Sequence, residues 1–374
     1  MLAVLWYPMW TMGLGMQGLA RARGAAIGSH SKRVLHVGGP GARPGALRDL
    51  LAENVRAVPA GGRISFLTYY FRDRALAGEL VAAHERGVHV RVLVEGRTRT
   101  RGANRHALAL LAPVLGRALR VIDRPYALRV HAKLYVFAGA GAGDPKRALI
   151  GSFNPSSDAD ELDPEVIADI GDQDRAFNAL VALEDDATVE WLLRQTERLH
   201  ASAFARAGRF PLAWPQAYEA AADALWMLPR FGASPLLERV VRLRAGARLR
   251  LTATHLSGTL ALRALSAASA RGVRVELLAE GTERRVPPAL EAQLRAAGIA
   301  VTRVASIPHV PMHAKFCLVE DGAEREAWFG SANWSDRSFL RNFEVLARSR
   351  DAALFDAFAS YWAEIEGFAR AART

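Results

Sequence analysis

A twelve-residue pattern occurs twice in this chain, as ERGVHVRVLVEG at residues 85–96 and as ARGVRVELLAEG at residues 270–281. A second pair, RISFL at residues 63–67 and RLRLT at residues 248–252, keeps the same offset of 185 residues. Each copy reads as a strand, an Ala- and Leu-rich helix, a glycine and a Val-rich strand, with the helices expected at about residues 74–85 and 259–270. Parallel strands need such a crossover helix, so the chain is predicted to contain one layered α/β unit twice.

The two copies are separated by a stretch, from about residue 201 to residue 234, that breaks both the helical and the strand pattern. It carries Pro211, Pro215, Pro229 and Gly232, which favour turns and linkers. We therefore expect an apolar and basic N-terminal segment at residues 1–31, a first half at residues 32–207 and a second half at residues 208–374. The length of 374 residues fits two domain-sized units.

The chain is strongly basic, because 49 Lys and Arg residues against 38 Asp and Glu residues leave a formal charge of +11. Its 51% of hydrophobic and 23% of charged residues are typical of a folded globular protein. A positive field attracts polyanions, so nucleic acid, anionic membrane surfaces and phosphorylated substrates are all candidate partners. A general Ala and Arg bias of the composition is the alternative explanation of the charge.

Two further features bear on the class of protein. The single cysteine, Cys317, excludes an internal disulfide framework and a multi-cysteine metal site, and it is expected to be a small buried residue. The uncharged segment Leu2–Ala20 is barely long enough to cross a bilayer, and no basic region precedes it as in a secretory signal. A weak membrane anchor, an interfacial segment and a start codon placed too early are the three interpretations of this segment.

Each half also carries the same pair of short motifs. VHAKLYVF at residues 130–137 leads to GSFN at residues 151–154, and MHAKFCLV at residues 312–319 leads to GSAN at residues 330–333. On an extended strand the histidine and the lysine of each His-x-Lys share a face. Lysine offers a charge to phosphate oxygens, and neutral imidazole can attack phosphorus or carry a proton. The Gly-Ser-x-Asn turn adds a hydroxyl, an amide and close backbone approach, so the combination predicts a phosphate-handling site.

These motifs resemble those of the phospholipase D superfamily over roughly residues 60–367. The resemblance implies an α/β fold in which two similar domains, each a mostly parallel or mixed sheet flanked by helices, pack about a pseudo-two-fold axis with the active site at their interface. It implies that His131 attacks phosphorus to form a phosphohistidine, and that His313 protonates the leaving alcohol and then activates water or an acceptor alcohol. Neither a metal nor a cofactor is expected, because other residues hold the charge of the phosphate. These residues are Lys133, Lys315, Ser152, Ser331, Asn154 and Asn333.

The second half resembles the superfamily more closely than the first. The family commonly has a glutamate at the position of Glu344, where a carboxylate orients a catalytic imidazole and raises its basicity. In the first half an acidic insertion follows the turn at residues 158–174, and the resumed alignment places Leu180 where the glutamate is expected. We expect either that the insertion supplies a substitute carboxylate, Glu165 or Asp169, or that His131 is less well oriented.

Other polar residues at the ends of predicted strands are weaker candidates. The arginines can gather phosphates or form a solvated basic loop. The glutamates end strands where ligands often bind in α/β sheets, or they bond their own loops, and the aromatic and histidine side chains are candidates for the cleft wall. These residues are Arg97, Arg99, Arg101, Arg105, Glu95, Glu280, Tyr69, Tyr70 and His255.

The motifs indicate cleavage or transfer at a phosphodiester and leave three functions open. A phospholipid hydrolase or a phosphatidyltransferase of the cardiolipin synthase kind is favoured, because Asp-Arg-Ser at residues 336–338 and Asn-Phe-Glu at residues 342–344 resemble that branch. Its partner would be an anionic membrane, and its location the cytoplasm or the inner face of the membrane. A nuclease that cuts DNA or RNA is the alternative, which the net charge favours and the lack of an aromatic-interleaved basic tract opposes. A degenerate, non-catalytic phosphate-binding protein is the third, motivated by Leu180.

Overall fold

The computed structural model describes residues 33–123, 129–141, 143–201, 217–230, 234–304 and 309–372. The segment Leu2–Ala20 and the predicted boundary between residues 207 and 208 lie outside these ranges. Within them, no helix is both long enough and apolar enough to cross a bilayer.

The described residues from 33 to 201 form a seven-stranded mixed sheet with helices. Its strands are β1 (Arg33–Val37), β2 (Arg63–Thr68), β3 (His89–Glu95), β4 (Leu119–Ile122), β5 (Leu134–Ala138), β6 (Lys146–Gly151) and β7 (Ala179–Leu183). Its helices are α1 (Ala46–Ala57), α2 (Arg74–Glu85), α3 (Arg105–Leu115), α4 (Pro164–Ile170) and α5 (Asp186–Ala201), with short 3₁₀ turns at Gly116–Ala118 and Asp158–Asp160. The strand order is β1-β7-β6-β5-β2-β3-β4, in which β2, β3 and β4 run parallel and the other neighbours antiparallel.

The described residues from 217 to 372 form an eight-stranded sheet and a two-stranded one. The strands are β8 (Ala217–Glu219), β9 (Asp223–Leu228), β10 (Arg248–Ala253), β11 (Leu256–Ser257), β12 (Arg274–Glu280), β13 (Ala300–Val304), β14 (Phe316–Asp321), β15 (Glu324–Gly330), β16 (Trp334–Ser335) and β17 (Glu344–Ser349). The helices are α6 (Pro235–Val241), α7 (Thr259–Ala270), α8 (Pro288–Ala296), α9 (Asp336–Leu340) and α10 (Ala352–Ala371). The large sheet has the order β13-β12-β10-β14-β15-β17-β9-β8, and β11 pairs with β16.

The two large sheets repeat each other strand for strand. The order β4-β3-β2-β5-β6-β7-β1 of the first corresponds to β13-β12-β10-β14-β15-β17-β9 of the second, to which β8 is added at one edge. The helices α2 and α7 occupy the predicted residues 74–85 and 259–270, each between two parallel strands. The prediction of two similar α/β domains with mixed sheets is therefore confirmed.

The halves share an apolar core that lies between their sheets. Val136 and Ile150 of the first sheet belong to the same buried apolar cluster as Phe316 and Phe329 of the second and Phe358 of α10. The opposite face of the first sheet is covered by α1, α2 and α3, and that of the second by α6, α7 and α8. The common core thus holds the two halves together around the segments that precede β5 and β14.

Candidate active site

The two His-x-Lys segments lie just before β5 and β14 rather than inside a strand, and each pairs with the other half of the molecule. The backbone N–H of His131 donates to the carbonyl oxygen of Phe343 at 2.9 Å, and that of His313 donates to the carbonyl oxygen of Phe177 at 2.9 Å. Phe343 precedes β17, and Phe177 lies two residues before β7. Two backbone hydrogen bonds therefore join the halves. They bring His131 next to Glu344 and His313 next to Asn178, the residues that follow the two phenylalanines.

Glu344, which was predicted to orient a catalytic imidazole, holds the histidine of the first half. Its Oε2 accepts from Nδ1 of His131 at 2.9 Å and from Oγ of Ser331 at 2.6 Å, and its Oε1 accepts from Nδ2 of Asn342 at 3.2 Å. Burial raises the pKa of the Glu344 carboxyl, but the charges of His131 and Lys133 and its hydrogen bonds bring the pKa below the ordinary value. The ionised carboxylate fixes Nδ1 of His131 as a donor, so that Nε2 is the reactive nitrogen.

Asn178, which sequence reasoning missed, is the counterpart of Glu344 and holds the histidine of the second half. Its Oδ1 lies 2.8 Å from Nδ1 of His313, and its Nδ2 donates to the carbonyl oxygen of Gln173 at 3.0 Å, which sets the orientation of the amide. Leu180 lies two residues further on, paired with Gly151 in the sheet. The alignment that put Leu180 opposite Glu344 was therefore wrong by two residues.

We expected either a substitute carboxylate from the acidic insertion or a less well oriented His131. Both expectations were wrong, because Glu344 of the other half supplies the carboxylate. Asp169 instead accepts hydrogen bonds from Nη2 of Arg99 at 3.1 Å and from Oγ1 of Thr100 at 2.6 Å, while Glu165 is exposed on α4. The histidine that has an amide in place of a carboxylate is His313.

Ser152 and Ser331 were expected to bind phosphate oxygens, but their hydroxyl groups bond the residues that hold the histidines. The Ser152 hydroxyl lies 3.0 Å from Oδ1 of Asn178, as the Ser331 hydroxyl lies close to Glu344. The backbone N–H groups of Ala179 and Val345 donate to these two hydroxyls at 3.0 Å each. Both serines are buried and outside the cleft wall, so they position the partners of the histidines.

The two lysines are buried and are not among the described residues of the cleft wall, but the charge of Lys133 is near enough to lower the pKa of Lys315. Nζ of Lys133 donates to the carbonyl oxygen of His131 at 2.6 Å, and Nζ of Lys315 donates to that of His313 at 2.9 Å and to Oγ1 of Thr254 at 3.1 Å. Burial lowers the pKa of Lys133 to about 7 and that of Lys315 well below its ordinary value. A phosphate anion near the lysines would stabilise their charged forms.

Both imidazoles are neutral near pH 7. Burial lowers the pKa of His131 to about 4, against the opposing effect of Glu344, and burial and Lys315 lower the pKa of His313 well below its ordinary value. Because each Nδ1 has an oxygen acceptor, each Nε2 carries a lone pair. The pair is thus one imidazole backed by a carboxylate and one backed by an amide.

His131 and His313 line a single cleft of about 430 Å³ between the halves. The predicted residues Asn154 and Asn333 also line it, and Oδ1 of Asn333 has no hydrogen-bond partner among the described residues. No Asp or Glu of the described residues is part of this wall. The wall also contains Tyr69, Tyr70, His255, Arg99, Arg129, Arg284, Arg285 and Arg337.

The remaining candidates have structural positions. Glu95 accepts hydrogen bonds from the backbone of Arg97 and Val130 at 2.8 Å each, and Glu280 accepts one from the backbone of Thr282 at 2.8 Å, so both bond neighbouring loop backbone. Cys317 is buried, as expected. The described part of the cleft wall does not include Arg97, Arg101 or Arg105. Among the described residues, no group of three His, Cys, Asp or Glu side chains is placed to hold a metal ion.

The glycine of each Gly-Ser turn lies against the neighbouring strand. A Cβ at Gly151 would lie 1.9 Å from the carbonyl oxygen of Ala179, and one at Gly330 would lie 2.2 Å from that of Val345. We expect Gly151→Ala to lower the free energy of unfolding by about 1–3 kcal/mol or more, since the strand must shift. Chemical denaturation would measure the change, with Gly78→Ala in α2 as control, where a Cβ meets nothing within 4 Å. Equal stability of the two variants would contradict the expectation.

Comparison with known proteins gives a family match and two similar folds. A family model described as "Cardiolipin synthase, PLD-like domain" matches residues 59–185 and 243–365, which is more than half of the chain and one match in each half. No curated protein sequence matches the chain. Polyphosphate kinase from Porphyromonas gingivalis is similar in structure with a TM-score of 0.62 and 18% identity, over 88% of this chain and 46% of that one.

A second similar structure is phosphatidylserine synthase from Haemophilus influenzae Rd KW20, with a TM-score of 0.62 and 12% identity over 88% of this chain and 85% of that one. This chain spans about half the length of the polyphosphate kinase and most of the length of the synthase. At these identities the likeness is one of fold, and it agrees with the two repeated α/β domains. The family match covers both His-x-Lys motifs and both Gly-Ser turns, so the chain belongs to the phospholipase D superfamily, in the family of cardiolipin synthase PLD-like domains.

Proposed function

We propose that the protein is a metal-independent phosphodiesterase or phosphatidyltransferase that acts on phospholipids through a phosphohistidine intermediate. The observation that supports this most directly is the histidine pair, because His131 and His313 line one cleft with both Nδ1 atoms held by acceptors. Two neutral imidazoles in one cleft, each followed two residues later by a buried lysine, suit a displacement at phosphorus that needs no metal.

The unequal partners of the two histidines support His131 as the nucleophile. In the first step Nε2 of His131 forms a bond to phosphorus, the bond to the leaving oxygen breaks, and His313 gives its proton to that oxygen. Positive charge develops on the attacking imidazole, and the buried carboxylate of Glu344 stabilises it more than an amide can. His313 needs a proton instead, and a phosphate anion beside its Nε2 favours the protonated form.

The second step returns the enzyme to its starting state. His313 takes a proton from water or from an acceptor alcohol, whose oxygen attacks phosphorus and releases His131. Lys133 and Lys315 balance the charge of the phosphoryl oxygens in both steps, and Asn154 and Asn333 bond them from the cleft wall.

A phospholipid substrate is supported by the family description and by the arginines of the cleft wall. The same arginines also suit a nucleic-acid backbone, which keeps a nuclease as the second candidate. The non-catalytic alternative was motivated by Leu180; the counterpart of Glu344 is Asn178, and the acceptors that both histidines have at Nδ1 favour a catalytic pair. A phospholipid enzyme would work on an anionic membrane surface, at the inner face of the membrane or from the cytoplasm.

The test is incubation of the purified protein with EDTA, in parallel with phosphatidylglycerol or phosphatidylethanolamine vesicles and with single-stranded DNA. Headgroup release that disappears in His131→Ala and persists in His89→Ala, a change at an exposed histidine on β3, is the expected result. Cleavage of DNA alone would establish the nuclease. Activity that requires a divalent metal would refute the proposed chemistry.

The lowered pKa values predict a pH optimum on the acid side of neutrality. His131 must be neutral to attack, so kcat/KM rises with pH through its pKa of about 4. His313 must carry a proton and Lys133 must be charged, so kcat/KM falls as pH rises, first as His313, whose pKa is lowered, loses its proton and at the latest through about 7, the pKa of Lys133. The measurement is kcat/KM against pH with a soluble phosphodiester. An alkaline limb near 10.5, the ordinary value for lysine, would contradict the prediction.

A further inference from the structure

The cleft extends beyond the two histidines. Its volume of about 430 Å³ falls in the range of roughly 300–1,000 Å³ that is typical of sites for whole small molecules rather than for one phosphate group. The loop after β3 and the loop after β12 form one side of it, and they bring Arg99, Arg284 and Arg285 to the wall.

Arg285 is a buried cation whose hydrogen-bonding capacity is only partly used. Only 7% of its surface is exposed. Its Nη2 donates to the carbonyl oxygen of Ile170 at 2.8 Å, while Nε and Nη1 have no hydrogen-bond partner among the described residues. Nη1 forms an ion pair with Oε1 of Glu280 at 3.7 Å, a distance too long for a hydrogen bond. Leaving buried guanidinium nitrogens without hydrogen bonds is costly, and because Arg285 lines the cleft, an anion there would offer its guanidinium additional acceptors.

Two more arginines stand beside it at equivalent positions of the repeat. Arg99 and Arg284 differ by the repeat offset of 185 residues, and both are tied by Nη2 to Asp169, one to its carboxylate and one to its carbonyl oxygen, at 3.1 Å each. Both side chains are exposed. A contact to α4 therefore holds both guanidinium groups at the edge of the cleft.

The positive charge of Arg285 also reaches the reacting groups. It contributes to the lowered pKa of His313 and of Lys315, after the larger effect of burial. Burial and the charge of Arg285 likewise lower the pKa of His255 to about 3, so this cleft residue is a neutral hydrogen-bonding partner. The guanidinium thus lies near the histidine pair without being part of it.

We propose that Arg285, with Arg99 and Arg284, forms a second anion subsite that binds a second phosphate group of the reacting molecules, next to the phosphate that the two histidines engage. Arginine suits this role because its planar guanidinium matches phosphate oxygens and stays charged. The inference rests on the proposed function, since it takes the histidine pair as the place of the reacting phosphorus. The second phosphate belongs either to the donor, as a diphosphate linkage, or to the acceptor alcohol.

Binding of non-hydrolysable probes tests the subsite without turnover. The probes are methylphosphonate and a series of α,ω-alkane bisphosphonates with one to six carbons, measured by titration calorimetry. We expect at least one bisphosphonate to bind the wild type about 10–100-fold more tightly than methylphosphonate, the gain of one charged hydrogen-bonded contact. Arg285→Gln should remove that gain and change methylphosphonate affinity less than about twofold, and the exposed Arg263→Gln should behave as wild type.

Arg285 also holds Ile170, so the melting temperature of Arg285→Gln must be compared with that of wild type. If Arg285→Gln does not fold, the same binding measurements are made on the double variant Arg99→Gln and Arg284→Gln, which is expected to fold because both side chains are exposed. Equal binding of all probes by the wild type would overturn the proposal. So would an equal loss of affinity for methylphosphonate and for the bisphosphonate.

Turnover separates the two sources of the second phosphate. A higher KM of Arg285→Gln for sn-glycerol 3-phosphate as acceptor, with no change for glycerol, would place the phosphate on the acceptor. A higher KM for cytidine diphosphate diacylglycerol, with no change for phosphatidylethanolamine, would place it on the donor. No KM change for either would contradict the subsite. No turnover of any lipid, with the bisphosphonate gain intact, would remove the proposed function and leave the subsite standing.

Discussion

Replacement of His131 by Ala is expected to abolish turnover and the covalent intermediate together, whereas His313→Ala should lose turnover with a natural substrate and still form the intermediate with an activated one. Loss of a nucleophile from a catalytic group that acts as a unit costs roughly 10⁴–10⁶ in kcat. His313 serves the leaving alcohol, and a p-nitrophenyl leaving group needs no proton to depart. The two variants therefore fail at different steps.

The measurement uses a p-nitrophenyl phosphodiester and rapid mixing. His313→Ala should release up to one equivalent of p-nitrophenolate per site in a burst and trap a phosphohistidine that mass spectrometry locates at residue 131. His131→Ala should show neither the burst nor the adduct. An adduct at residue 313 in His131→Ala would reverse the two roles, and the absence of an adduct in every variant would exclude the covalent mechanism.

Glu344→Gln is expected to lower kcat by about 10²–10⁴, the range seen when the carboxylate behind a catalytic histidine becomes an amide. The side chain is fully buried and bonded to His131, Ser331 and Asn342, so glutamine keeps the shape and removes the charge. His131 would then have an amide partner, as His313 already has in Asn178. The loss should fall on formation of the intermediate, because the charge on His131 develops there.

The matched variant is Asn178→Asp, which places a negative charge beside His313 instead of His131. A carboxylate beside His313 raises its pKa, so His313 keeps its proton to higher pH and the alkaline limb of the pH profile should move upward, while formation of the intermediate changes less than in Glu344→Gln. Single-turnover kinetics across pH would separate these effects. Equal losses in both variants, with no movement of the alkaline limb, would mean that the two histidines do not differ in role.

The repeat and the two His-x-Lys motifs could be predicted because they are local patterns. The strand, helix and strand of each unit are indicated by residues close together in the sequence, and the offset of 185 residues identifies the second copy. The predicted helices at residues 74–85 and 259–270 coincide with α2 and α7 for that reason. The histidines and lysines were recognised from the repeated spacing of their motifs, although their segments lie just before β5 and β14 rather than inside a strand.

The pairing between halves could not be predicted from one sequence, because it joins residues far apart along the chain. Glu344 belongs to the motif run of the second half but bonds His131, and Asn178 was hidden by an alignment two residues out of register. The pairs Phe177-Asn178 and Phe343-Glu344 were the available signal. Arg285 carries no motif, so only the folded cleft reveals it.

The crossed contacts also determine which parts of this protein can be exchanged with a relative. Each histidine lies in one half and its hydrogen-bond partner in the other. A chimera in which one whole half is replaced therefore keeps the motifs within each half but separates both histidines from their original partners. The unit that can be transplanted is a segment of one half together with a segment of the other, such as residues 130–133 with residues 342–345. Each functional unit of this fold therefore consists of residues from both halves, which lie far apart in the sequence.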